Sequence, residues 1–202
     1  MPILTFVSRL SDGMLLVASM ESASEVSHNL NTYKQQSKQL LKKLTSRSPT
    51  KCSIEAEGYC YHYVIASDIV YLTLSEKSYP KRLAYLYLSE IHLGFEKELQ
   101  DEFGPRWSHQ VNTVARPYAF IKFDKFIQKV RKEYANPSSN SNMSKVNENL
   151  SEIQNIMRLN IQEVLKRGEA LENVSNMSSS LADRSKEFKW GAKKLSLQVK
   201  IR

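Results

Sequence analysis

The feature that most constrains this chain is an apolar seam in its last third. Positions spaced alternately three and four residues apart stay mostly apolar through eight heptads, and thirteen of the seventeen are apolar. Eight sustained heptads predict a coiled-coil strand. A lone helix cannot bury such a seam, so we expect partner helices and a segment largely disordered until it binds. The seam positions are Met143, Val146, Leu150, Ile153, Met157, Asn160, Val164, Arg167, Leu171, Val174, Ser178, Leu181, Ser185, Phe188, Ala192, Leu195 and Val199.

Arg167 is the one charged residue on the seam, between Val164 and Leu171. Burying a guanidinium among apolar layers is costly unless its donors are satisfied. Partner helices would then have to supply carboxylate or glutamine oxygens at the same level. Alternatively, Arg167 lies at the edge of the seam and reaches water. Spacing alone leaves both interpretations open.

Residues 1–134 switch between strand and helix periodicity and predict an α+β domain. Asp12-Gly13 predicts a hairpin turn, and Glu57-Gly58 predicts another. Proline begins the later helices, and a polar loop at 104–115 separates them. Trp107 in that loop is either an added contact or, as we favour, a hydrophobic plug. The prediction is a five-stranded antiparallel sheet with three helices in the order ββαβββαα. The predicted strands span 3–9, 14–19, 52–57, 59–66 and 69–75, and the helices span 24–45, 80–103 and 117–134.

A run of Asn, Ser and Pro follows this domain and cannot build a core. We therefore divide the chain into a domain at 1–134, a linker at 135–142 and a coiled-coil segment at 143–200.

Two separate stretches resemble one known family. Residues 160–171, Asn-Ile-Gln-Glu-Val-Leu-Lys-Arg-Gly-Glu-Ala-Leu, resemble the centre of an R-SNARE motif. Residues 117–129 and the opening Arg9-Leu10-Ser11-Asp12-Gly13 look like a longin domain. Together they are similar to the longin-type R-SNAREs that act in vesicle traffic between the endoplasmic reticulum and the Golgi.

The resemblance implies a profilin-like fold and a role for each seam position. Arg167 would form the central ionic layer, facing one Gln from each of three Gln-SNARE helices. The other sixteen seam residues would pack as layers of a parallel four-helix bundle that draws two membranes together. The longin domain would regulate assembly and sorting, with vesicle coat proteins as partners. The expected location is the cytosolic face of the endoplasmic reticulum, Golgi and transport vesicles.

The end of the chain is basic: residues 184–202 hold seven Lys or Arg and one acid. Such a run suits a membrane-proximal segment near an anionic membrane surface. The family carries a C-terminal membrane anchor, and the sequence ends at Arg202 without one, so we expect a truncated form or a natural anchorless isoform. The membrane-proximal basic residues are Lys189, Lys193, Lys194, Lys200 and Arg202.

Other classes of function are weakly supported. We predict no enzyme activity, cofactor or metal site, because the acids, bases and nucleophiles are scattered and the four His lack ligand spacing. Cys52 and Cys60 should stay reduced and unpaired. The alternative is a basic helical nucleic-acid binder or coiled-coil adaptor. Because no aromatic residues interleave with the basic run, we expect no nucleic-acid partner.

One further hypothesis concerns the seam before it meets partners. The stretch from Val146 to Val164 is tethered to the domain by a short linker, which gives it a high local concentration. We therefore expect it to fold back into a groove between the first helix and the sheet edge, keeping the protein closed.

Overall fold

The computed structural model describes residues 1–20, 30–147, 153 and 155–166. Short 3-10 turns lie at Gly104–Arg106 and Ile121–Phe123. The elements are β1 Pro2–Arg9, β2 Leu15–Met20, α1 Leu30–Lys43, β3 Lys51–Glu55, β4 Tyr59–Ala66, β5 Ile69–Glu76, α2 Lys81–Phe103, α3 Trp107–Thr113, α4 Asp124–Glu133, α5 Asn140–Asn147, β6 Met157–Asn160 and α6 Ile161–Lys166.

The strands form one six-stranded sheet in the order β2-β1-β5-β4-β3-β6. The five strands β1–β5 pair antiparallel, which confirms that part of the sequence prediction. The sixth strand was not predicted. It comes from the coiled-coil segment at 143–200, which we call the seam segment, and pairs parallel to β3, so the sheet is mixed.

Alternating side chains give the sheet two buried faces, each covered by helices. Val70 and Tyr71 are neighbours on β5 and belong to opposite core clusters. One cluster joins the sheet to α2, α3 and α4, and the other joins it to α1. We call these the α2 face and the α1 face. Burial on both faces explains why apolar residues follow one another along β1 and β5.

The β1–β2 turn ties two distant parts of the domain together. Gly13 has a φ of 69°, and a Cβ there would lie 3.1 Å from the Leu41 carbonyl oxygen, so the turn packs closely on the end of α1. Arg9 pairs with Asp12 at 2.6 Å. Its Nη1 also donates to the Val111 carbonyl oxygen at 2.9 Å, at the C-terminal end of α3. A guanidinium here satisfies carbonyl groups that the helix leaves unpaired.

The prediction of a polar loop at 104–115 was wrong, and the domain has a fourth helix there. Gly104, with a φ of 63°, ends α2 as expected. Pro105 then begins a 3-10 turn that leads into α3, because proline is tolerated in a first helical turn. Val111 is 2 % exposed and anchors α3 to the core. Trp107 is half-buried against the same cluster, in agreement with its expected role as a plug.

The last helix of the domain begins later than Pro117. Tyr118 has a φ of 58°, which a right-handed helix does not allow. Its backbone N–H donates to the Leu15 carbonyl oxygen at 2.7 Å, so the chain follows the β2 edge before α4 begins at Asp124.

Residues 135–142, predicted as a linker, contain a turn and the start of α5. Asn142 is 1 % exposed. Its side-chain amide donates to the Glu133 carbonyl oxygen at 3.0 Å and to the Asn136 carbonyl oxygen at 2.7 Å. This connection holds the start of α5 against the end of α4.

Candidate functional site

The candidate site is the β3 edge of the sheet, where the seam segment is bound. Residues Cys52 to Glu55 pair with Met157 to Asn160 in parallel register. Without β6, the outer side of β3 would present unpaired backbone groups, which favour the addition of a further strand. The seam segment therefore satisfies the edge by intramolecular strand addition.

The first part of the segment packs on the α2 face. Ile156 is 9 % exposed and belongs to the same buried cluster as Tyr85. The Lys81 ammonium, at the start of α2, donates to the Ile156 carbonyl oxygen at 3.0 Å. Val146 and Ile153 are partly buried against the same cluster. The α2 face thus holds the segment before it enters β6.

After β6 the chain passes to the α1 face. Ile161 is 4 % exposed and Val164 is 5 % exposed, both in the cluster that includes Leu40 and Leu41 of α1. Burial of one such side chain is worth about 1.5–3 kcal/mol. Helix α6 begins with a side-chain cap, because the Asn160 Oδ1 accepts the Gln162 backbone N–H at 2.8 Å.

Charged residues reinforce the edge where the segment crosses it. Glu55 of β3 accepts a hydrogen bond from Arg158 of β6 and forms an ion pair with Lys77 at 3.0 Å. Lys77 and Arg158 together lower the pKa of Glu55 below its ordinary value. The Arg158 side chain is mostly exposed, so this ion pair adds little to the stability of the contact.

A cluster of three buried polar side chains lies beneath this edge. The Ser53 hydroxyl is 2.9 Å from His62 Nδ1 and 3.0 Å from the Tyr85 hydroxyl. Burial lowers the pKa of His62 to about 3, and the positive charges of Lys81 and Arg158 act in the same direction. His62 is therefore a neutral structural residue in the wall of the site.

The two cysteines lie on adjacent strands, β3 and β4, and are not opposite each other. In the register of β3 and β4, Cys52 is opposite Tyr63 and Cys60 is opposite Glu55. Both thiols are free, as predicted. Burial raises the pKa of Cys52 to about 12 and that of Cys60 to about 11. Neither has the thiolate character that a nucleophile needs.

The structure places six of the predicted seam residues. Val164 is buried, and Val146, Ile153 and Met157 are partly buried against the domain. Met143 and Asn160 are exposed. The seam segment thus folds back on the domain, with β6 on the sheet edge and α6 against α1 as expected. Val146 and Ile153, expected in the same groove, pack on the α2 face instead.

The remaining predicted site residues lie outside the described part of the chain. They are Leu150, Arg167, Leu171, Val174, Ser178, Leu181, Ser185, Phe188, Ala192, Leu195, Val199, Lys189, Lys193, Lys194, Lys200 and Arg202.

The heptad pattern missed several residues that hold the segment in place. Ile156, Leu159 and Ile161 lie between seam positions, yet all three pack on the domain. A second pattern could have identified them. Met157, Leu159 and Ile161 alternate with polar residues at a period of two, which is typical of a strand with one buried face.

Two family models match this chain over most of its length. The model of the longin, or regulated-SNARE-like, domain matches residues 17–127, and the synaptobrevin model matches residues 142–202. The chain is 41 % identical to the vesicle-trafficking protein SEC22b-B of Danio rerio, over 97 % of this chain and 87 % of that protein. The chain belongs to the Sec22 family.

Similarity within the Sec22 family extends beyond animals. The 25.3 kDa vesicle transport protein SEC22-1 of Arabidopsis thaliana is 39 % identical over 98 % of this chain and 88 % of its own length. The protein transport protein sec22 of Schizosaccharomyces pombe is 38 % identical over 96 % of this chain and 86 % of its own length. The resemblance to longin-type R-SNAREs is thereby confirmed, and the chain is a vesicle-trafficking SNARE rather than an enzyme.

Membership of the Sec22 family also indicates the class of partner that this chain binds. A SNARE works in a complex, so Gln-SNARE helices are its partners. In the part of the chain that the structure describes, no helix is both long and apolar enough to cross a membrane.

Proposed function

We propose that this Sec22-family chain is an R-SNARE of transport between the endoplasmic reticulum and the Golgi. The domain at 1–134 is its longin domain, 135–142 is the linker, and 143–200 supplies one helix to a four-helix bundle. Arg167 forms the ionic layer and faces one Gln from each of three Gln-SNARE helices. The other sixteen seam residues form the bundle layers.

One observation carries the regulatory part of this proposal: the domain and the bundle require the same side chains. Val164 is buried against α1, and Ile153 and Met157 are partly covered by the domain. In a bundle these side chains face the three partner helices. One apolar surface cannot be buried in two places, so docking on the domain opposes assembly by its own free energy.

Backbone conformation separates the two states as well. Residues Met157 to Asn160 are extended in β6, whereas a bundle helix needs them helical. Assembly therefore begins with breaking the pairing between β3 and β6. The longin domain acts as an internal competitor that slows the pairing of the SNARE segment with its partners.

The remaining assignments follow from the family and from charge. The relatives' names describe vesicle trafficking and protein transport, which supports a location on the cytosolic face of the endoplasmic reticulum, Golgi and vesicles. Vesicle coat proteins would bind the longin domain and sort it. The basic run near the end of the chain would lie near an anionic membrane surface.

Circular dichroism tests the R-SNARE role. Mixing the chain with three Gln-SNARE helices from the endoplasmic reticulum and Golgi should produce a large gain of helix and a cooperative melt. Arg167→Asp should destabilise the complex by about 3–5 kcal/mol, because it places an unpaired carboxylate among the glutamines. The matched control, Lys166→Asp, changes an exposed neighbouring charge and should cost no more than about 1 kcal/mol.

If Arg167→Asp and Lys166→Asp reduced the stability of the complex equally, the assignment of Arg167 to an ionic layer would be refuted. The absence of any helix gain with this set of partners would refute the proposed role itself.

A further inference from the structure

A stripe of lysines lies on α4, on the side of that helix that faces away from the core. Lys122, Lys125, Lys129 and Lys132 follow one another at spacings of three, four and three along the 3-10 turn and α4. That spacing places them on one side of a helix. All four are exposed, whereas Ile127 on the other side is fully buried. We call these four residues the α4 stripe.

The positive charge of the stripe is not neutralised by neighbouring acids. Residues 116–133 contain six basic and two acidic residues. Among the described residues, no stripe lysine forms an ion pair. The nearby Asp124 carboxylate accepts a hydrogen bond from Gln128 at 2.6 Å instead. Glu98 and Glu102 line a cavity beside Lys122, at one end of the stripe only.

Two large apolar side chains are exposed at the same end of the helix. Ile121 is 46 % exposed and Tyr118 is 39 % exposed. The left-handed φ of Tyr118 is unusual for a bulky residue and signals a conformation that the surroundings impose. Hydrogen bonds from the Tyr118 and Phe120 N–H groups to the β2 carbonyl oxygens impose it. The backbone is thus fixed to the β2 edge while the tyrosine ring stays exposed.

The stripe stays accessible while the seam segment is docked. All four stripe lysines are exposed in the docked structure, although α5 meets the end of α4 at Glu133. Helix α4 contacts β2, at one edge of the sheet, whereas β6 is added at the β3 edge on the other side. Binding at the stripe is therefore independent of the competition between domain and bundle.

We propose that the α4 stripe, with Ile121 and Tyr118, is a docking surface for an anionic membrane. From Lys122 to Lys132 the stripe is roughly 15 Å long. Its lysines suit the phosphate and carboxylate groups of anionic lipids, and charge complementarity selects that surface. The exposed aliphatic and aromatic side chains suit the boundary between headgroups and acyl chains. Docking would place the longin domain flat on the bilayer.

Vesicle sedimentation of the full chain tests this proposal. The probes are vesicles of phosphatidylcholine and vesicles of equimolar phosphatidylcholine and phosphatidylserine. The triple variant Lys125→Gln/Lys129→Gln/Lys132→Gln should bind the anionic vesicles about 100-fold more weakly than the unaltered chain, because each surface lysine contributes about fivefold. Ile121→Ser should weaken binding further, and this loss should persist at high salt because it is not electrostatic.

A matched control removes the same charge elsewhere. Lys34→Gln/Lys38→Gln/Lys42→Gln alters three lysines of α1, on the opposite face of the sheet. The affinity of this control variant for the anionic vesicles should fall no more than about threefold, which is a general effect of the lower net charge. Unchanged thermal melts would show that both triple variants are folded.

A second control separates the stripe from the basic end of the chain. A variant with Lys193, Lys194 and Lys200 neutralised should still bind the anionic vesicles. Neutralising the stripe lysines as well should reduce that remaining binding. The proposal is overturned if the stripe variant binds anionic vesicles like the unaltered chain, which would favour an acidic protein partner. The proposal is also overturned if the α1 control variant loses as much affinity for anionic vesicles as the stripe variant. Neither result affects the proposed R-SNARE role.

Discussion

His62 shows how much a single buried residue depends on its surroundings. The imidazole is 3 % exposed, bonded to Ser53 and packed edge-on against the Tyr85 ring at 5.4 Å. Ser53 lies on β3, so this polar group links the edge strand that binds the seam segment to β4 and α2. The depressed pKa of His62 makes the stability of the domain depend on pH.

We predict that His62→Asn reduces this pH dependence. In the unfolded chain His62 has a pKa near 6.5, and in the folded chain near 3. Below 6.5 the unfolded state binds a proton that the folded state excludes. The stabilisation is complete above 6.5 and is lost as the pH falls towards 3, at up to about 1.4 kcal/mol per pH unit. Urea unfolding at stepwise lower pH measures the slope.

The control for this prediction is His109→Asn, on the exposed side of α3. It should keep the slope of the unaltered protein. Asp12 and Glu55 also have pKa values lowered by their hydrogen-bonded partners, but these carboxylates are common to all three proteins and cancel in the comparison. If His62→Asn and the unaltered protein have the same slope, the buried neutral histidine is not the cause.

At the scale of elements, the approach of α4 to α2 depends on a glycine. A Cβ at Gly94 would lie 2.3 Å from Phe126 Cε1. The Phe126 ring is stacked on Phe123, with centroids 5.0 Å apart, so its freedom to turn away is limited. Gly94 therefore allows α4 to lie close to α2, which fixes the position of the lysine stripe.

We predict that Gly94→Ala destabilises the domain although alanine favours helices. Propensity alone would stabilise α2 by up to about 1 kcal/mol. Overpacking against the Phe126 ring should cost about 1–3 kcal/mol and outweigh that gain. The double variant Gly94→Ala/Phe126→Leu should recover part of the loss in thermal melts. A Gly94→Ala protein more stable than the original would contradict this packing argument.

The sequence predicted some elements well and others poorly, for identifiable reasons. The five antiparallel strands follow from local alternation and from Gly-containing turns such as Asp12-Gly13. Helix α3 was missed because Gly104-Pro105 can end one helix and begin the next. Strand β6 was missed because its apolar residues also fit heptads, and only pairing with β3 decides between the two conformations.

Prediction of the candidate site was partial for the same reason. The heptads identified Ile153, Met157 and Val164 as residues that need burial. They did not indicate that Ile156 and Ile161, between the seam positions, hold the segment on the domain. Such anchors depend on the shape of the domain surface, which no periodicity in the segment encodes.

For the whole molecule, the sheet edge and its two faces act together on the seam segment. The α2 face receives Ile156, β3 pairs with β6, and the α1 face receives Ile161 and Val164. The central claim is that this docked state competes with SNARE assembly. A variant that weakens docking without altering a bundle layer should therefore assemble faster.

Ile156→Ser meets that requirement, because Ile156 is buried against the domain and lies off the seam. The decisive measurement is the rate of helix gain when the chain is mixed with three Gln-SNARE helices. Loss of about 2 kcal/mol of docking should raise that rate roughly 30-fold, since assembly proceeds from the undocked state. Asn155→Ser, an exposed off-seam neighbour, should assemble at the original rate. Equal melts of the assembled complexes would show that the bundle itself is unchanged. An Ile156→Ser rate equal to that of the original chain would contradict the competition between domain and bundle.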